Sequence, residues 1–492
     1  MINELKNYLT DFMLSRHYST LIAALVITVS LSSCIATKSY EQPEMQTKDL
    51  YPFEQVEMDS TTLADMPWQE VFNDSQLRDL IEEALENNLE LRSAIEQIRV
   101  AEADFYQGRM SMLPTLSLGA NASYNEQSDN ANSLGGMGTG SIPASERYSV
   151  SASSSWELDV WGKLTSAKKA SYAALLQAEA TRRAVQTRLI AQVANTYYRL
   201  LALDEQLEIT KETVENRRQD VEAIRSLQES GLVTGVSLQQ SIANRYAAEV
   251  TLPELRQQIT EQEHALSILL GRSPGDIERS SLDKQTVIDS LATGVPAQLL
   301  RNRPDIIAAE HSFRSAFELT NNARAQFYPS LQLTAEGGYQ SLQTDDLFQP
   351  GSIFYNLIAG VTQPIFNRGQ NKAQLKRSKA RQQQAKLELR STVINASSEV
   401  SNALSKFKNA EEKKELTTKQ LNALENAVEY SRELLQYGEA NYTEVLTAQQ
   451  NYLSAQLSDI NNQLQQLTAG VELYRALGGG WNKNIIQQNE EN

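Results

Sequence analysis

The apolar residues of this chain recur with two periods, and each period keeps to its own stretches. Over Thr115–Tyr124, Leu116, Leu118, Ala120, Ala122 and Tyr124 alternate with Thr115, Ser117, Asn121 and Ser123. Tyr148–Leu158 sets Tyr148, Val150, Ala152, Trp156 and Leu158 against Ser149, Ser151, Ser153, Ser155 and Glu157. Leu331–Tyr339 and Ile353–Val361 repeat the pattern, the last through Ile353, Tyr355, Leu357, Ala359 and Val361. Alternation predicts four β-strands, each with two unlike faces. Elsewhere the period is seven. Leu200, Leu207, Val214 and Val221 recur, with Leu203 and Ile224 in a second phase that Thr210 and Arg217 interrupt. Val393, Val400, Phe407, Leu421, Val428 and Leu435 follow the same period, broken by Lys414. A seven-residue repeat predicts packed helices with a left-handed supercoil.

Glycine spacing shows that the pattern is written twice. Gly162, Gly231 and Gly271 correspond to Gly369, Gly438 and Gly478, each pair 207 residues apart. Between Gly162 and Gly231, and again between Gly369 and Gly438, lie 68 residues without Gly or Pro. As single helices they would reach about 100 Å at about 1.5 Å per residue. Residues 236–270 and 443–477 are predicted helical too, the first kinked at Pro253. Gly231 and Gly438 then suit the left-handed residue that ends a helix. Upstream the offset is 215: Met112–Leu118 matches Phe327–Leu333, and Asn88–Leu91 matches Arg303–Ile306. The eight extra residues of the first copy fit the Gly-, Ser- and Asn-rich loop Gln127–Ser145. The plan is a signal segment (1–33), a linker (34–66), a first repeat (67–271) with hairpin 114–158, and a connection (272–295). A second repeat (296–478) with hairpin 329–363 and a tail (479–492) complete it.

The N-terminus adds an address. Lys6, Arg16 and His17 precede the apolar run Leu21–Leu31, which ends at Ser32-Ser33-Cys34. Charged, apolar and small-residue zones in that order are those of a secretory signal. Cys34 follows Leu-Ser-Ser, as in a bacterial lipobox, so it is the expected mature N-terminus, carrying lipid on its thiol with palmitate among the acyl chains. The alternative is an incidental cysteine after a plain signal peptide. Ile35 stands where an inner-membrane retention aspartate would be.

Composition then removes whole classes. With one cysteine and three histidines (His17, His264, His311), disulfide frameworks, iron–sulfur clusters and His-rich metal centres are not expected. A net charge of −16 argues against nucleic acid as partner. Mean hydropathy of −0.43 excludes a bundle of transmembrane helices. No nucleophile elbow, phosphate loop, dinucleotide fingerprint or His-Glu-x-x-His occurs, so no catalytic residue and no cofactor is assigned.

About ten residues of alternation also fits a tilted membrane-spanning strand. Trp156, Tyr124 and Tyr339 would sit at bilayer interfaces, and a soluble antiparallel sandwich is the alternative. In lipid, sheet edges must be paired. Four strands cannot close alone, so copies must share a barrel. Two copies give eight strands, filled by their own side chains, whereas three give twelve and leave a channel.

Pro67-Trp68 with Phe72–Leu77, Leu299–Ile306 with Ala308-Ala-Glu310, Ala323–Leu331 and Tyr474–Trp481 stand in this order on the repeat. Together they resemble the TolC family of outer-membrane channels, in the lipoprotein branch that serves RND-type efflux pumps. The resemblance implies an α+β membrane protein: a homotrimer whose shared outer-membrane β-barrel, four strands per chain, continues into a long periplasmic α-helical barrel. It implies a lipid-anchored location in the bacterial outer membrane, extending into the periplasm. It further implies a periplasmic adaptor and an inner-membrane RND-type transporter as partners. The expected function is the exit duct of a tripartite efflux pump for small molecules. The alternatives are the duct of a type I protein secretion system or a periplasmic coiled-coil lipoprotein without a channel. Ser230-Gly231-Leu232 resembles the family's Val-Gly-Leu tip, making Gly231, Leu232 and Gly438 the expected adaptor-docking turns. Glu444 matches an acidic position of the periplasmic constriction, with Tyr437 and Tyr442 beside it, while Ser237 replaces a second acidic position. Three symmetry-related carboxylates on a narrow axis would attract cations.

Overall fold

The computed structural model describes residues 36–43, 63–126, 145–286 and 302–481. Cys34, the signal segment, most of the expected loop at 127–145 and the end of the tail lie outside them. In chain order the structure forms α1 (Trp68–Val71), α2 (Ser75–Asn87), α3 (Leu89–Met110), β1 (Thr115–Asn125) and β2 (Ser145–Leu158). Then come α4 (Lys163–Glu229), α5 (Gly235–Leu269), α6 (Pro304–Ala325), β3 (Ser330–Ser341), β4 (Ile353–Thr362), α7 (Gln370–Gln436) and α8 (Tyr442–Ala476).

The helix ends lie where backbone chemistry puts them. At the start of α4 the Asp159 carboxylate accepts the free N–H groups of Leu164 and Thr165, at 2.8 and 2.7 Å. Those are orphan donors of a first turn, and negative charge there also suits the helix dipole. At the end of α4, Gly231 takes φ +79°, donating to Gln228 O while Leu232 donates to Leu227 O. Gly438, with φ +73°, closes α7 through the same two bonds, to Leu435 O and from Glu439 to Leu434 O. This paired closure satisfies two carbonyls that the helix leaves unbonded. Both long helices hold 67 residues. α5 runs through Pro253 as one helix.

The described residues divide into two compact units, each drawing on both repeats. The first comprises Arg99–Leu176, His311–Leu387 and the described part of the first 43 residues. It contains one antiparallel sheet in the order β1-β2-β3-β4. The hairpins are equivalent in register: Thr115 faces Ser155, and Ser330 faces Thr362. β2 and β3 join them, with Val150 opposite Tyr339 and Trp156 opposite Leu333. In the same unit, Tyr40 packs its ring 5.5 Å from Phe317 and 6.0 Å from Phe313, both on α6.

The second unit holds the larger apolar core, in which Leu77, Ile81, Tyr197, Leu200, Leu266 and Leu473 are fully enclosed. The heptad residues behave differently along the helices. Leu200, Val214, Val221 and Ile224 of α4 and Val393, Val400 and Phe407 of α7 are buried. Leu421, Val428 and Leu435, toward the end of α7, are only half-buried. Thr210, which breaks the apolar phase, is buried with its hydroxyl donating to Gln206 O at 2.7 Å. That bond satisfies a group whose burial would otherwise be costly.

Candidate functional site: a two-faced sheet and two helical turns

The strand registers place like residues on like faces. One face carries Leu116, Leu118, Ala120, Ala122 and Tyr124, then Val150, Ala152 and Trp156, then Leu331, Leu333 and Tyr339, then Ile353, Leu357 and Val361. The other carries Ser117, Asn121, Ser149, Ser151, Ser153, Gln332, Thr334, Glu336 and Asn356, with Phe354 and Ile358 of β4 as its apolar members. Leu116, Leu118, Tyr355 and Leu357 are each at least 77 % exposed, so the apolar face is bare within the chain. The polar face is cross-linked by its own side chains. Ser151 Oγ donates to Glu336 at 2.9 Å, and Gln332 Nε2 donates to Ser155 Oγ at 2.8 Å. Gly338 is required by closeness, since a Cβ there would lie 2.1 Å from Val150 O. Among the described residues, β1 and β4 each have one neighbour, which leaves two rows of backbone donors and acceptors open.

In the second unit, the turns that end α4 and α7 present Leu232 and Tyr437, exposed by 73 % and 75 %. Val236, just inside α5, is 66 % exposed. Thr234 and Asn441 are equivalent caps, accepting from Ser237 N and Glu444 N. Glu444 is exposed and reciprocates: its carboxylate accepts from Asn441 Nδ2 at 2.9 Å. It faces an open cleft of about 600 Å³ together with Leu424, Ala427, Thr443 and Thr447. Tyr442 lies elsewhere, buried at the start of α8, where burial and then the charge of Asp220 push its hydroxyl pKa up. The structure thus brings Gly438 and Glu444 to one turn, leaves Tyr437 bare and encloses Tyr442.

Sequence reasoning missed the contact that joins these helices. Asp220 of α4 accepts from Gln449 Nε2 of α8 at 2.8 Å and stands 3.8 Å from Arg432 of α7. A cleft of about 740 Å³ beside it is lined by Glu212, Glu425, Glu429 and Glu433 with Arg217 and Arg432. An aspartate within a long polar helix gives no local signal, because its partners lie on other helices.

Of the short segments quoted above, the described residues around Asp74, Arg303 and Tyr474 anchor the second unit. Asp74 caps α2 through Gln76 N at 2.9 Å and accepts Tyr197 Oη at 2.7 Å, Gln285 Nε2 at 2.8 Å and the Ser280 hydroxyl. Burial alone would raise its pKa, but these four donors hold the carboxyl below its ordinary value. Arg303 is 5 % exposed and binds Asp305, Glu399 and Ala476 O, tying the start of α6 to α7 and the end of α8. Trp481 donates to Asn302 O at 3.1 Å beneath the Arg183 guanidinium, 5.0 Å from its ring. Tyr474 donates to Met66 O at 2.8 Å, and a Cβ on Gly479 would meet the Tyr474 ring at 2.2 Å.

Known proteins carry the same architecture. The chain is 30% identical over 477 residues to the toluene efflux pump outer membrane protein TtgF of Pseudomonas putida, covering 94% of this chain and 98% of that protein. It is 27% identical to the outer membrane protein OprJ of Pseudomonas aeruginosa, with 94% and 96% covered. Among solved structures, the open state of the Neisseria gonorrhoeae MtrE outer membrane channel superposes with TM-score 0.80 at 28% identity, over 91% of this chain and 98% of that one. The outer-membrane channel OprN superposes with TM-score 0.83 at 24% identity, over 91% and 100%. The family model described as outer membrane efflux protein matches residues 80–272 and 295–479. With the greater part of its length matched in both repeats, this chain belongs to the outer membrane efflux protein family.

Proposed function

We propose that three copies of this chain form the outer-membrane exit duct of a tripartite efflux pump, passing small molecules to the exterior. The observation that carries it is the sheet: one face apolar and bare, one face polar, and both edges open. In a bilayer each unpaired backbone group costs several kcal/mol, so such a sheet is stable only when copies close it. Three copies supply twelve strands, with serine, glutamine and asparagine lining the water-filled side. The chain provides a path and performs no reaction.

A periplasmic adaptor docks at the turns around Gly231-Leu232 and Gly438, where Leu232, Val236 and Tyr437 are exposed. An inner-membrane RND-type transporter drives the cargo. Glu444 lines the periplasmic constriction, with the exposed Tyr437 near it and the enclosed Tyr442 packing the start of α8 behind it, and its carboxylates favour cations. Cys34 carries the lipid anchor. The test is a deletion strain scored for susceptibility to dyes, detergents and antibiotics. Hypersensitivity restored by the intact gene supports efflux, and wild-type tolerance with intact relatives absent from the strain contradicts it. Incorporation of labelled palmitate, lost in Cys34→Ala, tests the anchor separately.

A further inference from the structure

We propose that the exposed basic face at the start of α7 binds the phosphate headgroups of anionic phospholipid, through Arg368, Lys372 and Lys376. The proposal rests on the membrane-spanning reading of the sheet and adds the class of lipid met at the end from which α7 leaves.

The charge of this chain is unevenly placed. From Leu347 to Leu387 there are seven Lys or Arg and no Asp or Glu, in a protein of net charge −16. Lys372, Lys376, Lys379 and Lys386 are spaced by four, three and seven residues, which puts them on one face of the helix. The adjoining flank is the one that packs: Ser378 is 5 % exposed, and Asn371 Nδ2 donates to Gln326 O of α6 at 2.8 Å. The four lysines and Arg368 are all exposed, and their side chains find no hydrogen-bond or ion-pair partner among the described residues. In the first turn of α4, by contrast, Lys163 is neutralised by Glu157 at 2.8 Å. The whole basic face belongs to the first unit, with the sheet.

Neither the helix nor its packing requires these charges, and the internal repeat supplies the control. Arg368, Lys372 and Lys379 correspond to Trp161, Thr165 and Tyr172 of the first copy, whose helix is equally long. Trp161 stacks on Tyr328 at 5.0 Å, and Tyr172 packs on Phe105 of α3 at 5.2 Å. Where the first copy places packing rings, the second places unpaired cations. Lysine in the first turn opposes the helix dipole. No acidic residue offsets it there, since Phe366 stands at the place of Asp159. Arg368 also holds φ +53°, a conformation that glycine adopts at less cost. Cations kept against the preference of the helix are matched by an anion outside the chain. Position selects lipid as that anion. After β4 ends at Thr362 come Ile365 and Phe366, 89 % and 85 % exposed, and then Arg368, Lys372 and Lys376. Apolar residues followed by cations is the order of acyl chain and phosphate at a membrane surface, and a basic cluster beside a membrane span attracts anionic headgroups. That attraction fades within a Debye length of about 8 Å. Lys386, about 21 Å along the helix from Lys372, lies beyond it.

The experiment mixes the full chain in detergent with equal amounts of phosphatidylglycerol and phosphatidylcholine of the same acyl chains. Native mass spectrometry then counts the lipids retained. Expected is about fivefold more phosphatidylglycerol than phosphatidylcholine. The variant Arg368→Gln with Lys372→Gln and Lys376→Gln should bring the two to parity, with the melting temperature held or raised because the helix dipole is relieved. Lys386→Gln should keep the parent ratio. Equal retention by the parent, a preference that survives the triple variant, or its loss in Lys386→Gln would overturn the site. Displacement of the lipid by millimolar inorganic phosphate, or by an acidic peptide, would make the ligand a soluble anion and overturn the lipid assignment. Any of these results, in a preparation that conducts in planar bilayers, leaves the duct standing. A preparation that neither inserts nor conducts removes the membrane reading, and the lipid site with it.

Discussion

Single side chains carry the acid and alkaline limits of the second unit. Asp74 has its pKa lowered in the fold, so its contribution is complete above the ordinary value near 3.8 and fades as pH falls through the lower folded value. Replacing it with Ala removes a helix cap and a buried acceptor, an expected loss of about 1–2 kcal/mol at neutral pH. That loss should shrink below about pH 4. Thermal melts of both proteins at pH 7 and pH 3 check this, and an equal offset at both would refute it. The partner Tyr197 moves the other way, its pKa pushed up to about 12 chiefly by burial. Its neutral form is favoured in the fold, so stability falls as pH rises past about 10, and Tyr197→Phe should flatten that decline. At the turn, Glu444→Gln keeps an acceptor for Asn441 and removes only charge. Reversal potentials should then show weaker cation preference, with the melting temperature nearly unchanged.

At the scale of elements, the turns depend on left-handed glycines. Gly231 and Gly438 have positive φ and open space where a Cβ would go. An alanine at either therefore costs backbone energy alone, about 1 kcal/mol, read as faster hydrogen exchange in the last turn of α4 or α7. Asp220→Ala should free α7 and α8 from α4 and raise single-channel conductance, whereas unchanged conductance would mean the contact restrains nothing. The long helices were legible in the sequence to within a residue or two, because glycines spaced 207 apart mark their ends. The strands were legible through alternation, though β2 begins three residues earlier than Tyr148. What stayed hidden is what two distant elements do together. The pairing of β2 with β3 and the bond from Gln449 to Asp220 join residues too far apart in sequence for any local period to register. The same limit explains Tyr442, expected beside Glu444 and found buried at the start of α8.

For the molecule as a whole, duplication accounts for more than helix count. Each repeat supplies one hairpin, and the pairing of β2 with β3 joins the two hairpins into one sheet. An acidic chain of net −16 then sets its charge chiefly along helices, while its sheet is nearly neutral. The lone cysteine, which excludes internal disulfides, is the residue proposed above to carry the lipid. The central claim is that these sheets enclose water across a membrane. Planar-bilayer recording of the detergent-extracted outer-membrane protein tests it most directly. Discrete conductance steps with cation preference, from a preparation that runs as a trimer, are expected. A trimeric, cooperatively melting preparation that inserts into the bilayer and passes no current would contradict it.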